Sequence, residues 1–132
     1  MTNIFALKPI SLDELESAES SSEFTAKLDL NPYQNAYLIN FGGSNTRCND
    51  HVSGQILLAG STIKDFKIDR TGCSLSKACI VSFSNQLIGL SPAQVVSITD
   101  KDWLEAVGTS HPMRNECVLF GVKAIQKALS SL

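Results

Sequence analysis

Cys48, Cys73, Cys79 and Cys117 are the four cysteines of this 132-residue chain, and His51 and His111 are its two histidines. Thiolates do two kinds of chemistry: they ligate soft metals, or they attack sulfur and carbon as nucleophiles. The sequence holds no Cys-x-x-Cys pair and no compact Cys-His pattern, so a thiol-dependent oxidoreductase or transferase gains no support from spacing. Metal binding asks only that distant ligands meet in space. Asp50 stands two residues after Cys48, and on an extended chain those side chains point to the same side. Cys48, Cys73, Cys117 and Asp50 would form a closed set of three thiolates and one exchangeable carboxylate, suited to zinc or to an iron–sulfur cluster. Spacing alone leaves that shared site open.

The elements around these residues explain why three cysteines group and one does not. Cys48 precedes a strand, Cys73 ends a second strand and starts a helix, and Cys117 starts the last helix. At a helix N-terminus the unpaired amides favour the thiolate. Cys79 falls roughly 120° around the helix from Cys73, at about 100° per residue. It joins a stripe of Leu75, Ala78, Phe83 and Leu87, and there it reads as a small buried hydrophobe. His51 neighbours Asp50 on an extended chain and points to the opposite face, which makes it a surface or supporting residue. His111 lies in a loop before Cys117 and is a further candidate ligand.

The remaining chain reads as an α+β domain. Ser11, with Asp13 and Glu14 after it, predicts an N-terminal helix. Asn31-Pro32 and Gly42-Gly43 punctuate a loop with one short extended piece. "SGQILLAG" and "TIKDFKIDR" flank a Gly60-Ser61 turn and predict an antiparallel hairpin, although the alternation in the second run is imperfect. A helix follows from Ser74 towards Gly89. Ser91-Pro92 opens a short one, and Thr99 with Asp102 opens another that Gly108 ends. The last helix carries Val118, Val122, Ile125, Leu129 and Leu132 on one stripe.

Composition narrows the function classes. With 43% hydrophobic residues, 18% charged and a net charge of −2, the chain is neither disordered nor built as a basic nucleic-acid binder. Its start lacks the pattern of a secretory signal, and no apolar run approaches the roughly 20 residues of a membrane span. A reducing cytoplasm is the expected compartment, or the mitochondrial matrix if a transit peptide has been removed.

Three stretches, in order, resemble the iron–sulfur cluster assembly scaffolds of the IscU/NifU N-terminal/SufU family. "CND" at 48–50 resembles the family's Cys-Gly-Asp, "IKDFKIDRTGCSLSKA" at 63–78 its strand-to-helix segment ending in Gly-Cys, and "RNECVLFGVKAIQKAL" at 114–129 its third-cysteine helix. The resemblance covers about 46–132 of one domain spanning 1–132, and 1–45 is a divergent helix and loop in which "NPYQN" is similar to the family's Asn-Pro-Arg-Asn. It implies a small antiparallel three-stranded β-sheet with helices packed on it. It also implies Cys48, Asp50, Cys73 and Cys117 as ligands of a [2Fe–2S] cluster or as sulfur-accepting thiols, with zinc possible in the same site. The implied partners are a cysteine desulfurase that supplies sulfur and apoproteins that receive the cluster. No turnover of its own is expected.

The departures carry information. Asn49 replaces the motif glycine, and Asn tolerates positive φ better than most residues. Glu116 stands where many members have His or Lys. Beside thiolates it disfavours further negative charge unless it turns outward or binds the metal itself, so Glu116 joins His111 as an additional candidate ligand. "SHPMR" at 110–114 resembles, through Pro112 and Arg114, the segment that engages an Hsp70-type chaperone in one branch. The short interval between Cys73 and Cys117 is nearer the IscU/NifU branch than the SufU branch. A second reading is a divergent zinc-binding or cluster-free paralogue that accepts sulfur from, or regulates, a cysteine desulfurase.

Overall fold

The computed structural model describes residues 7–10, 28–45, 50–70, 74–108 and 112–132. The helix expected from Ser11 lies outside them. Strands β1 (Tyr37–Asn45), β2 (Asp50–Ala59) and β3 (Thr62–Arg70) form an antiparallel sheet in the order β1-β2-β3. Four helices follow among the described residues: α1 (Ser74–Leu87), α2 (Pro92–Val96), α3 (Asp100–Val107) and α4 (Pro112–Ser130). This is the α+β arrangement expected from the sequence.

The β2–β3 turn is as the sequence predicts. Gly60 has φ 59° and Ser61 φ 68°, with Ala59 paired to Thr62. Two successive left-handed residues make a type I′ turn, whose twist matches that of the flanking strands. The expectation around Gly42-Gly43 needs correction. Both glycines lie inside β1, paired with Ser53 and Val52, where a flexible loop was expected. A Cβ built on Gly43 would stand 3.7 Å from the Ala124 Cβ, so this stretch lies directly under α4. Packing sets its conformation where local propensity favours a loop.

The imperfect alternation in β3 has a structural cause. Leu57 pairs with Asp65 while Leu58 pairs with Ile63, which leaves Lys64 as an extra residue; Ser53 pairs with Arg70 while Gly54 pairs with Ile68, which leaves Asp69 extra. Each bulge shifts the phase of the strand by one. Ile63, Phe66 and Ile68 therefore all face the helices, and Ile63 and Ile68 are fully buried there with Ile56 and Leu58 of β2.

The helix ends follow their sequence signals. Ser91 caps α2 in a reciprocal box with Gln94, and Thr99 caps α3 in the same way with Asp102. The backbone N–H of Thr99 donates to the Asp102 carboxylate, with help from the Thr99 side chain, and this lowers the Asp102 pKa. Gly108, at φ 77°, ends α3. After α1, the Gly89 N–H donates to the Ile63 carbonyl (2.7 Å) and the Ile63 N–H to the Leu90 carbonyl (2.8 Å), which ties the end of the helix to the start of β3.

The core lies between the sheet and the helices. Val118, Val122, Ile125 and Leu129 of α4 are buried as expected, whereas Leu132 lies beyond the helix end and is 62% exposed. Phe83 of α1 meets Trp103 of α3 edge to face, with ring centroids 4.7 Å apart. α1 and α4 approach closely at Gly121, where a Cβ would come within 2.9 Å of the Ile80 Cδ1. The Gln126 amide of α4 donates to the Val95 and Ile98 carbonyls at 2.9 and 2.8 Å, and Lys123 pairs with Asp100 at 2.8 Å. Near the N-terminus, Ile10 is buried, and the Gln86 side-chain amide bonds both the N–H (2.7 Å) and the carbonyl (3.0 Å) of Lys8.

Candidate metal and sulfur site

The strand directions bring three chain corners to one end of the sheet. β1 ends at Asn45 opposite Asp50, where β2 begins, and β3 ends at Arg70 opposite Ser53. α1 starts at Ser74, directly after that end, and its far end is tied back at Ile63 beside the hairpin. α4 runs in the same sense as α1. It meets Ile80 through Gly121, and further along Gln126 reaches residues that follow α1 in the chain. At 1.5 Å per residue, Ser74 lies about 9 Å before the Ile80–Gly121 crossing and Cys117 about 6 Å before it.

The expected ligands can be placed to different degrees. Asp50 is the first residue of β2, at the same strand parity as Val52 and Gly54, and its side chain lies outside the described residues. Cys117 belongs to α4, one turn before Gly121 and two before Ala124, the positions that touch α1 and β1. Its side chain is likewise outside the described residues. Cys48, Asn49, Cys73 and His111 lie outside them entirely; what is fixed is their flanks, Asn45 and Asp50, Arg70 and Ser74, Gly108 and Pro112. Among the described residues, no three His, Cys, Asp or Glu side chains converge on a metal position.

One expectation changes. Cys117 does not start its helix, because α4 already begins at Pro112. Proline suits the first helical position, where its missing N–H costs no hydrogen bond. Cys117 therefore sits in the second turn, beyond the reach of most of the helix-dipole effect expected for it, which falls off within the first turn.

Cys79 is 1% exposed and packs in the main core, as its stripe implied. His51 is exposed and pairs across the sheet with Ser44. Glu116 is partly buried and its side chain is engaged.

The NifU-like N-terminal domain model matches residues 32–132. The chain belongs to this family. The match reaches back beyond the motif-bearing residues and includes β1. The NifU-like fold also recurs in crystal structures of low sequence identity. A protein assigned as an iron–sulfur cluster assembly scaffold for the SUF system of the thermophile Fervidobacterium islandicum AW-1 is 22% identical, with a TM-score of 0.68 over 90% of this chain and 96% of the other. A hypothetical protein is 18% identical, with a TM-score of 0.66 and coverage of 90% and 96%. The N-terminal part of a nitrogen-fixing NifU-like protein from Brucella abortus is 12% identical, with a TM-score of 0.61 and coverage of 89% and 90%. No curated protein matches the chain at a significant level.

Two features of this NifU-like chain escape a reading of its motifs. Lys77 lies in α1 four residues after Cys73, partly buried and engaged. It stands four positions after a candidate ligand in the sequence, and that spacing was the available signal. The second is the bulge at Asp69, whose carboxylate pairs with Lys67 at 3.1 Å. It turns the strand just before Arg70, as bulges next to functional sites commonly do. No helix among the described residues is long and apolar enough to cross a membrane.

Proposed function

We propose that the chain is a scaffold on which a labile [2Fe–2S] cluster is assembled from iron and from sulfur delivered by a cysteine desulfurase, and from which it passes to apoproteins. The observation that carries this reading is the NifU-like family match over residues 32–132. The assignment of the structurally similar SUF-system protein as an iron–sulfur cluster assembly scaffold supports it. Cys48, Cys73 and Cys117 supply thiolates, either as cluster ligands or as acceptors of sulfane sulfur, and Asp50 supplies the weaker oxygen ligand that makes the cargo releasable. The convergence of the flanks of these residues on one end of the sheet is compatible with a shared site. The protein carries and transfers its cargo without turnover of its own.

The test is anaerobic reconstitution with iron, cysteine and a desulfurase. Thiolate-to-iron charge-transfer absorption is expected in the wild type and in Cys79→Ala, and is lost in Cys48→Ala, Cys73→Ala and Cys117→Ala. A wild type that stays colourless sinks the proposal. A second reading, a zinc-holding or cluster-free sulfur acceptor, is motivated by Asn49 and by the carboxylate of Glu116 next to Cys117. Stoichiometric zinc that survives gel filtration, together with sulfur accepted from the desulfurase and no colour, favours it.

A further inference from the structure

Leu7, Lys8, Pro9 and Ile10 lie outside the span that the NifU-like domain model matches, and they dock on the helices through contacts of their own. Gln86, in the last turn of α1, holds both backbone groups of one residue: its Oε1 accepts from the Lys8 N–H and its Nε2 donates to the Lys8 carbonyl. The Ile10 N–H donates to the Ala106 carbonyl of α3 at 2.8 Å, and the Ile10 side chain enters the core. Leu7 packs on the same core, while Lys8 and Pro9 are exposed.

The last turn of a helix leaves carbonyls without donors from the helix itself. At the end of α3 the Gly108 N–H satisfies Leu104, and the Ile10 N–H satisfies Ala106. The front of α3 is fastened separately, by Asp100 to Lys123 and by Trp103 against Phe83. Residues 7–10 thus supply a cap from the far end of the chain. They place it on the end of α3 that leads, three residues after Gly108, into α4.

The hold of this segment is limited. One buried isoleucine and three hydrogen bonds, two of them exposed, return a stabilisation similar in size to the entropy lost when four residues are ordered. Pro9 reduces that loss, because it fixes its own φ and keeps Lys8 extended before docking. The docked form is therefore favoured by little, far less than the stability of a whole domain. We propose that residues 7–10 are a releasable strap. Docked, the strap caps α3 and steadies the corner into α4; released, it lets that corner and the second turn of α4 loosen while the rest of the core stays folded. That turn carries Cys117, so the strap sets how firmly one site thiol is held. This last link rests on the proposed function; the strap itself does not.

The experiment is residue-resolved amide hydrogen exchange by NMR on metal-free full-length protein. Gln86 is only partly buried and alanine suits a helix, so Gln86→Ala removes the clamp and leaves α1 intact. In the wild type the Ile10 amide is expected to be about a hundredfold less protected than the Val122 amide of the core. In Gln86→Ala, protection is expected to fall about tenfold at Ile10 and severalfold at Gly108, Cys117 and Val118, with Val122 and Ile125 unchanged. Gln86→Glu keeps an acceptor for the Lys8 N–H and loses the donor to its carbonyl, so it is expected to fall between. Asn85→Ala, at the exposed neighbouring position, is expected to match the wild type. Equal protection at Ile10 and Val122 in the wild type overturns the proposal, because the strap would then open only with the whole domain. So does a Gln86→Ala protein in which Val122 loosens as much as Ile10, or in which Cys117 and Val118 keep their wild-type protection. Neither metal nor desulfurase is present, so this outcome is independent of the reconstitution result.

Discussion

At Gly54 the absent side chain makes room for a neighbour. A Cβ there would fall 2.6 Å from the Phe41 Cζ and would also run into the Lys67 carbonyl oxygen. Gly54 sits at one of the β3 bulges and Phe41 is its partner on β1, so this residue sets how closely three strands meet above the site end. Gly54→Ala is expected to cost about 2–3 kcal/mol in urea unfolding, because neither the ring nor the backbone can retreat without disturbing the sheet. Nothing in the run "SGQILLAG" marks that glycine as indispensable, since the clash depends on a partner strand. Cys79 is the opposite case. Its helical phase relative to Phe83 and Leu87 identified it as a core residue, and it is buried where that phase puts it. Cys117 is not a helix start, because Pro112, five residues earlier, takes the first helical position.

Among the elements, caps and the hairpin turn were legible because their signals are local. Gly60-Ser61, Ser91-Pro92, Thr99 with Asp102, and Gly108 each fix a few dihedral angles by chemistry contained in a few residues. Two tests follow at this scale. Ser61 holds φ 68°, a conformation that costs an L-residue energy, so Ser61→Gly is expected to raise stability by about 1 kcal/mol by thermal or urea unfolding. Asp102, whose pKa is lowered by the Thr99 N–H, contributes its cap in the ionised form. The folded-state pKa lies below the unfolded one, so the contribution is complete at neutral pH and is lost as pH falls through the folded value. Asp102→Asn is expected to be less stable than wild type at pH 7, and the gap is expected to narrow in acid. A gap that widens in acid contradicts the assignment. The extent of β1 through Gly42-Gly43 and the positions of the β3 bulges were not legible beyond a short extended piece and an imperfect alternation, because both are set by long-range pairing: α4 packs over Gly43, and β2 dictates which residues of β3 go unpaired.

For the whole molecule, the hydrophobic periods and caps led to the α+β class, and the motif order led to the family. The convergence of chain corners at one end of the sheet was not readable from spacing. It follows from the antiparallel order β1-β2-β3 together with α1 and α4 running in the same sense from that end. Cysteines far apart in sequence thus acquire neighbouring flanks without any short motif to announce them. The central claim is that these positions hold a transferable iron–sulfur cluster. The most direct measurement is iron and acid-labile sulfide per chain after anaerobic reconstitution, compared between wild type and Cys73→Ala. Equal, stoichiometric iron and sulfide in the wild type, absent from the variant, is the predicted result. Iron without sulfide, or the same loading in both proteins, would contradict it.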